Sequence, residues 1–337
     1  FRLRHYPLHP LKHAHNAALE FRGHPVDAAD LLVPPSDGRS GSDCMRIIWH
    51  GLNRGRITLA AQAAGTLRLL LDQARGHALR RHTWGQPIGA RQLVRGRLAR
   101  IAARIVACDA IAAWAATAID FGQSGELEAI AAKVLAGECV RESAIDSLGV
   151  HGGRAFLVGH PLGDSFHDHF AVTVYEGESD LLGLALFKGL ARHHPSAAVQ
   201  GDSAASRRAT AWLAWRVAGA ARGSGQDSAI LDAGLRDHAR AARRGLARVA
   251  RRIDRAIRRH GRSLADEQLL VGALSEEVRD LVSVLAVAHH ADAAGDDALL
   301  LPADCWCRMA LAGAGGRRLT SADQARLAEL GGRLVLS

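Results

Sequence analysis

Apolar side chains recur at Val94, Leu98, Ile101, Ile105, Cys108 and Ala112, in alternating steps of four and three. That spacing keeps them on one face of a 3.6-residue helix and predicts a core helix of a bundle. Similar patterns run from Ile57 to Arg80, from Glu126 to Leu148 and from Ser179 to about His193. The four segments predict a four-helix unit. Upstream the period is different: Leu19-Glu20-Phe21 alternates, Gly23-His24-Pro25 interrupts, and Leu31-Leu32-Val33 stops at Pro34-Pro35. This is extended chain, the end of a sheet, closed by the turn-rich run Ser36 to Ser42. Downstream, residues 195–203 are rich in Pro, Ser, Ala, Gly and Asp and read as a linker to a second helical region. There Ser263-Leu264-Ala265-Asp266 has the form of a capping box and predicts a helix start, with an end near Asp292 to Gly295. The expected architecture is mainly α: a β remnant over 1–41, a helical bundle over 42–194, a linker over 195–203 and a second helical domain over 204–337.

Composition narrows this picture only in places. With 48% apolar and 23% charged residues in 337, neither disorder nor a fibrous repeat is indicated. The net charge of +9 is carried by Arg, Lys occurring only at 12, 133 and 188. Much of it gathers between His238 and Arg262, where Arg243, Arg244, Arg248, Arg251, Arg252, Arg255, Arg258 and Arg259 surround an apolar line at Leu246, Val249, Ile253 and Ile257. This basic amphipathic helix reads either as a solvated outer face or as a surface for anionic lipid or a partner, so a peripheral membrane contact through 238–262 is one expectation. No groove-reading motif or interleaved aromatic pattern accompanies the charge, so nucleic acid is not expected. No apolar run approaches about 18 residues, and neither a signal peptide nor a membrane span is predicted. Five cysteines without a secretion signal favour reduced thiols and a cytoplasmic location, with the inner membrane face as the site of any lipid contact. Cys305-Trp306-Cys307 is too isolated for zinc, and no metal is expected. The first residue, Phe1, reads as mid-domain, and a missing amino-terminal region is expected.

Three segments in order carry candidate chemistry: Arg81-His82-Thr83-Trp84-Gly85-Gln86-Pro87-Ile88, Val150-His151-Gly152-Gly153 and Tyr175-Glu176-Gly177. Their words and spacing resemble the acyl-CoA dehydrogenase family, with Gly55-Arg56 similar to the helix that opens that family's carboxyl-terminal bundle. The resemblance covers roughly Ala17 to His194. Beyond it, Glu267-Gln268-Leu269-Leu270 and Asp304-Cys305-Trp306-Cys307 resemble the helical extension of the very-long-chain branch.

The resemblance implies FAD as cofactor and a fatty acyl-CoA as substrate, with a proton removed alpha to the thioester and a hydride passed from the beta carbon to flavin. It nominates Glu176 as the base and places Arg56, Tyr175 and Gly177 around the substrate pocket. Some relatives carry the base immediately before Arg56, where this chain has Gly55. By the same resemblance Arg81 contacts the flavin pyrophosphate across a subunit interface, Thr83 and Trp84 contact the flavin, Gln92 lies near the adenosine, and Gly152 and Gly153 admit the cofactor to the backbone. A homodimer and an electron-transfer flavoprotein are the implied partners. Four features depart from the family pattern. Gly149 replaces a usual Gln, Glu178 a usual Thr, and His167-Asp168 a usual Arg-Asp, while the amino-terminal helical domain and most of the middle sheet are not in this chain. Glu178 would add like charge beside a pyrophosphate. The rival reading is an impaired homologue serving as a helical scaffold or membrane-associated interaction protein.

Overall fold

A computed structural model describes residues 1–30, 42–192, 194 and 229–336. Strands β1 (Arg2–His5) and β2 (Ala17–Glu20) pair antiparallel, Leu3 opposite Leu19. The alternation at 19–21 predicts β2. Its partner β1 was not foreseen, because Arg-Leu-Arg-His carries no apolar alternation long enough to read. Leu31 to Gly41, the linker at 195–203 and the start of the second helical region lie outside the described residues.

The bundle consists of α1 (Ser42–Arg80), α2 (Gln92–Asp120), α3 (Glu126–His151) and α6 (Ser179–Arg192), with short helices α4 (Pro161–Asp164) and α5 (Phe166–Ala171) before α6. A two-residue hairpin, β3 (His82–Thr83) with β4 (Gln86–Pro87), joins α1 to α2. Long helices α7 (Ala233–His260), α8 (Gln268–Ala294), α9 (Asp297–Ala314) and α10 (Ser321–Leu336) follow. Leu, Ala and Arg are the commonest residues of α1, and they lose little freedom in a helix. The capping-box reading is corrected: Ser263 lies in a 3-10 turn, its hydroxyl donates back to the His260 carbonyl at 2.8 Å, and α8 begins at Gln268. The hydroxyl satisfies the carbonyl that ends α7 rather than an amide that opens α8.

One hydrophobic core runs through both groups of helices. It joins Leu67 and Leu70 of α1, Ile111 of α2, Leu135 and Val140 of α3, Val249 of α7, Leu274 and Leu281 of α8, Leu301 and Trp306 of α9, and Leu327 of α10. Each such side chain contributes about 1.5–3 kcal/mol by leaving water. At the centre, α2 packs against α1, α3, α8, α9 and α10. By length and composition α2 is apolar enough to cross a bilayer, contrary to the expectation from contiguous runs, because its many alanines soften the count; most of it is buried within the bundle. Inside, Arg104 is buried between Glu142 at 2.5 Å and Asp146 at 2.7 Å, tying α2 to α3. At the other end Asp304 accepts hydrogen bonds from His238, Arg308 and Arg326, pinning α7 and α10 to α9 and holding its carboxyl well below the usual range. Cys305 and Cys307 are buried beside it, and burial pushes the Cys305 thiol up to about 12, so these thiols are packing groups. Among the described residues no His, Cys, Asp and Glu cluster could hold a metal.

Candidate active site

Glu176 sits in the turn between α5 and α6 with φ +57°, a left-handed conformation that a residue with a Cβ adopts at a cost. The turn is clamped from two sides. The Arg56 Nε donates to the Glu176 carbonyl at 3.2 Å, and its Nη1 donates to Asn53 Oδ1 at 3.2 Å. Lys133, fully buried in α3, donates from Nζ to the Thr173 carbonyl at 3.1 Å and to the Gly177 carbonyl. Burial lowers the Lys133 ammonium to about 8, with Arg56 adding to the shift and the nearby carboxylates opposing it. Burial likewise lowers Arg56, offset by the charge of Glu176.

Both cations hold backbone carbonyls and leave the carboxylate itself uncommitted: Glu176 Oε2 is buried with no hydrogen-bond partner among the described residues. A Cβ on Gly55 would stand 2.7 Å from Glu176 Oε1 and 2.8 Å from Oε2. The two positions that the family resemblance offers for the base therefore face one point, and the absence of a side chain at 55 makes room for the carboxylate at 176. Tyr175 packs against the core, its phenol raised by burial and by the charge of Glu176. The arrangement presents a carboxylate with one buried oxygen on a turn held from two sides.

A second group of candidates meets elsewhere. Arg81, Gly152 and Gly153 line a cleft of about 550 Å³ together with His77, His151 and Arg154. A Cβ at Gly152 or Gly153 would touch nothing within 4 Å, so their backbone faces open space. Thr83, Trp84 and Gln92 lie outside this cleft. Trp84, at the hairpin tip with φ +48°, is 87% exposed, and the Arg91 guanidinium lies over its ring at 4.6 Å while donating to the Thr83 carbonyl at 2.8 Å. Gln92 is exposed at the first turn of α2.

The departures from the family pattern have physical accounts. A Cβ at Gly149 would stand 2.5 Å from the Arg97 guanidinium carbon, and Arg97 donates to the Gly149 carbonyl, so a cation from α2 fills the space of the missing side chain. Glu178 accepts from the Asp180 and Leu181 amides, each at 3.0 Å; it caps α6, a role a Thr hydroxyl also fills. His167 stacks on His9 at 5.0 Å, and Asp168 accepts the Leu11 amide, so this pair docks the β1–β2 connection onto α5.

Sequence reasoning missed four participants. Lys133 carried a usable signal, a single cation inside the apolar run Ala129 to Gly137. His77, Arg154 and His160, whose ring lies 4.9 Å from that of His151, carried none, being brought together only by the chain's return.

Residues 44–191 match the family described as acyl-CoA dehydrogenase, C-terminal domain. An acyl-CoA dehydrogenase of Bacillus subtilis is 31% identical over 165 residues, covering 49% of this chain and 42% of its own. The very long-chain specific acyl-CoA dehydrogenase of Bos taurus is 24% identical over 290 residues, covering 83% of this chain and 43% of its own. The chain thus spans less than half the length of these curated relatives. In fold it resembles the Bacillus anthracis acyl-CoA dehydrogenase complexed with FAD, with a TM-score of 0.66 at 15% identity over 86% of this chain and 56% of that one. Taken with the order of the three motifs and the helices that carry them, the family match identifies residues 44–191 as an acyl-CoA dehydrogenase C-terminal domain, and the solved structure agrees in fold.

Proposed function

We propose that this chain supplies the catalytic base and part of the flavin site of an FAD-dependent acyl-CoA dehydrogenase acting on a long-chain fatty acyl-CoA, with Glu176 as the base. The observation that carries this is the buried, unpartnered Oε2 of Glu176 over Gly55. A carboxylate with one uncommitted oxygen on a clamped turn suits removal of an acidic C–H proton. Arg56 and Lys133 fix the turn through its carbonyls, so the base is positioned without being neutralised by a direct ion pair. Flavin, when bound, supplies the two-electron oxidant for the beta carbon. The cleft at Arg81, Arg154, Gly152 and Gly153 fits the cofactor's diphosphate, being cationic, open at the glycine backbone and lined by His151, whose ring nitrogens lack partners among the described residues. Exposed apolar residues beside it, Phe156, Leu157 and Val158, suit the homodimer contact expected from the resemblance. The likeness to the very long-chain enzyme, which at 83% of this chain extends beyond the bundle, supports a long acyl chain, and an electron-transfer flavoprotein remains the proposed acceptor. Replacing Glu176 by Gln should lower acyl-CoA-dependent bleaching of bound FAD by at least about a thousandfold, an effect of about 4 kcal/mol on the barrier. Unchanged bleaching in a variant that keeps its flavin spectrum would refute the assignment.

A second reading concerns residues 238–262. The apolar line of α7 already faces the core, Val249 being 1% exposed, so this helix has no apolar face left to lay into a bilayer. Arg244, Arg248, Arg251, Arg255 and Arg259 are exposed and recur at helical spacing, and none enters an ion pair among the described residues. We infer a contact with the anionic inner membrane surface by charge alone, each arginine contributing about 1 kcal/mol. Sedimentation with phosphatidylserine vesicles at low salt should fall about tenfold or more for Arg248→Glu/Arg255→Glu; equal binding would dismiss the contact.

A further inference from the structure

Three imidazoles meet at the end of the bundle where the cleft opens. His77 is in the last turn of α1, His151 ends α3 and His160 precedes α4. Ring centroids of His77 and His151 are 4.8 Å apart, and those of His151 and His160 are 4.9 Å apart. His151 is only 8% exposed, yet neither of its ring nitrogens has a hydrogen-bond partner among the described residues, and neither does the buried Nδ1 of His160. Buried polar atoms without partners are costly and rare, so a group from outside that supplied acceptor oxygens here would remove a standing penalty.

The charge around the cluster points to the sign of that group. The charged neighbours acting on His151 are His77, His160 and Arg154. Those acting on His77 are Arg154, Arg80, Arg81 and His160. All are basic. The other cleft-lining residues nearest them are apolar or glycine, and the glycine backbone is bare. Two guanidinium groups, two imidazoles backed by the His160 ring, and open backbone around about 550 Å³ suit a diphosphate, whose oxygens take several donors at once.

We propose that this cleft takes up a proton as the diphosphate of a dinucleotide fills it, His151 together with His77 holding the proton. The inference rests on the flavin reading for the source of the diphosphate and adds to it a coupling to pH. In the empty cleft, burial and the basic neighbours keep His151 neutral, at about 4. An anion between the rings and the guanidinium groups reverses the local field, and a proton from the solvent converts an imidazole with one donor into an imidazolium with two. The converging C-terminal ends of α1 and α3 add partial negative charge that also favours the cation. Binding therefore strengthens as pH falls.

The test is titration calorimetry of the 337-residue chain with FAD, and separately with ADP-ribose, which carries the same kind of diphosphate diester without flavin. Both ligands stay ionised between pH 6 and 8, so any proton exchange belongs to the protein. The expected result is a binding heat that differs between HEPES and Tris at equal pH, reporting net proton uptake, and FAD affinity about tenfold higher at pH 6 than at pH 8. His151→Phe should abolish both effects, and His77→Gln should reduce them, carrying the test if the first variant does not fold. FAD binding with buffer-independent heat would overturn the proton coupling and leave the flavin reading standing. Binding of ADP-ribose with proton uptake, but not of FAD, would keep the site and overturn the flavin reading. Binding of neither would overturn both.

Discussion

Gly55 and Glu176 are separated by 120 residues of chain, yet they define the site together. The carboxylate occupies the volume that a Cβ at 55 would claim, so Gly55→Ala forces it to move by about 1 Å or to turn away. A displacement of that order costs about a hundredfold in a well-oriented reaction. The expected outcome for Gly55→Ala is a drop of that size in acyl-CoA-dependent bleaching with flavin content preserved; full activity would show that the carboxylate does not depend on this space. At this scale the sequence was informative where a residue type is unusual in its own neighbourhood. Glu176 stood between Tyr and Gly before a helix, and Lys133 interrupted an apolar run. It was uninformative where meaning comes from three-dimensional return. No spacing connects His77 to His151, and nothing in Gly149 announces that Arg97 will fill its place.

Elements were legible in proportion to the length of their apolar period. The stripe from Val94 to Ala112 identifies α2, and Gly295, in the left-handed conformation, ends α8 where expected. Starts were less legible, because a cap is a choice between competing donors and acceptors. Ser263 had the residue type of a cap and bonded the preceding helix, whereas Glu178 looked like misplaced charge and caps α6. That assignment has a measurable consequence: Glu178→Ala should destabilise the fold by about 1 kcal/mol, while Glu178→Thr should cost a few tenths at most. Chemical denaturation midpoints at matched slopes distinguish the two; equal losses in both variants would mean that the carboxylate acts by charge and not as a cap. The β1–β2 hairpin was half legible, its exposed basic strand β1 taking its conformation from the pairing.

For the whole molecule, burial of His151 links stability to pH. Its folded value of about 4 lies below the ordinary 6.5, so as pH falls the unfolded chain binds the proton first. Stability is complete above about pH 7 and is lost between 6.5 and 4, by about 1–2 kcal/mol from pH 7 to pH 5. Urea denaturation across that range should show the loss, and His151→Phe should flatten it; an unchanged slope would assign the acid sensitivity to other groups. The central place of α2 carries a different consequence. Helices from both ends of the chain close over it, so its middle amides have no small local opening through which solvent can enter. Deuterium uptake between Ile101 and Ile111 then keeps time with opening of the complete protein, while the hairpin carrying Trp84 exchanges on its own faster clock.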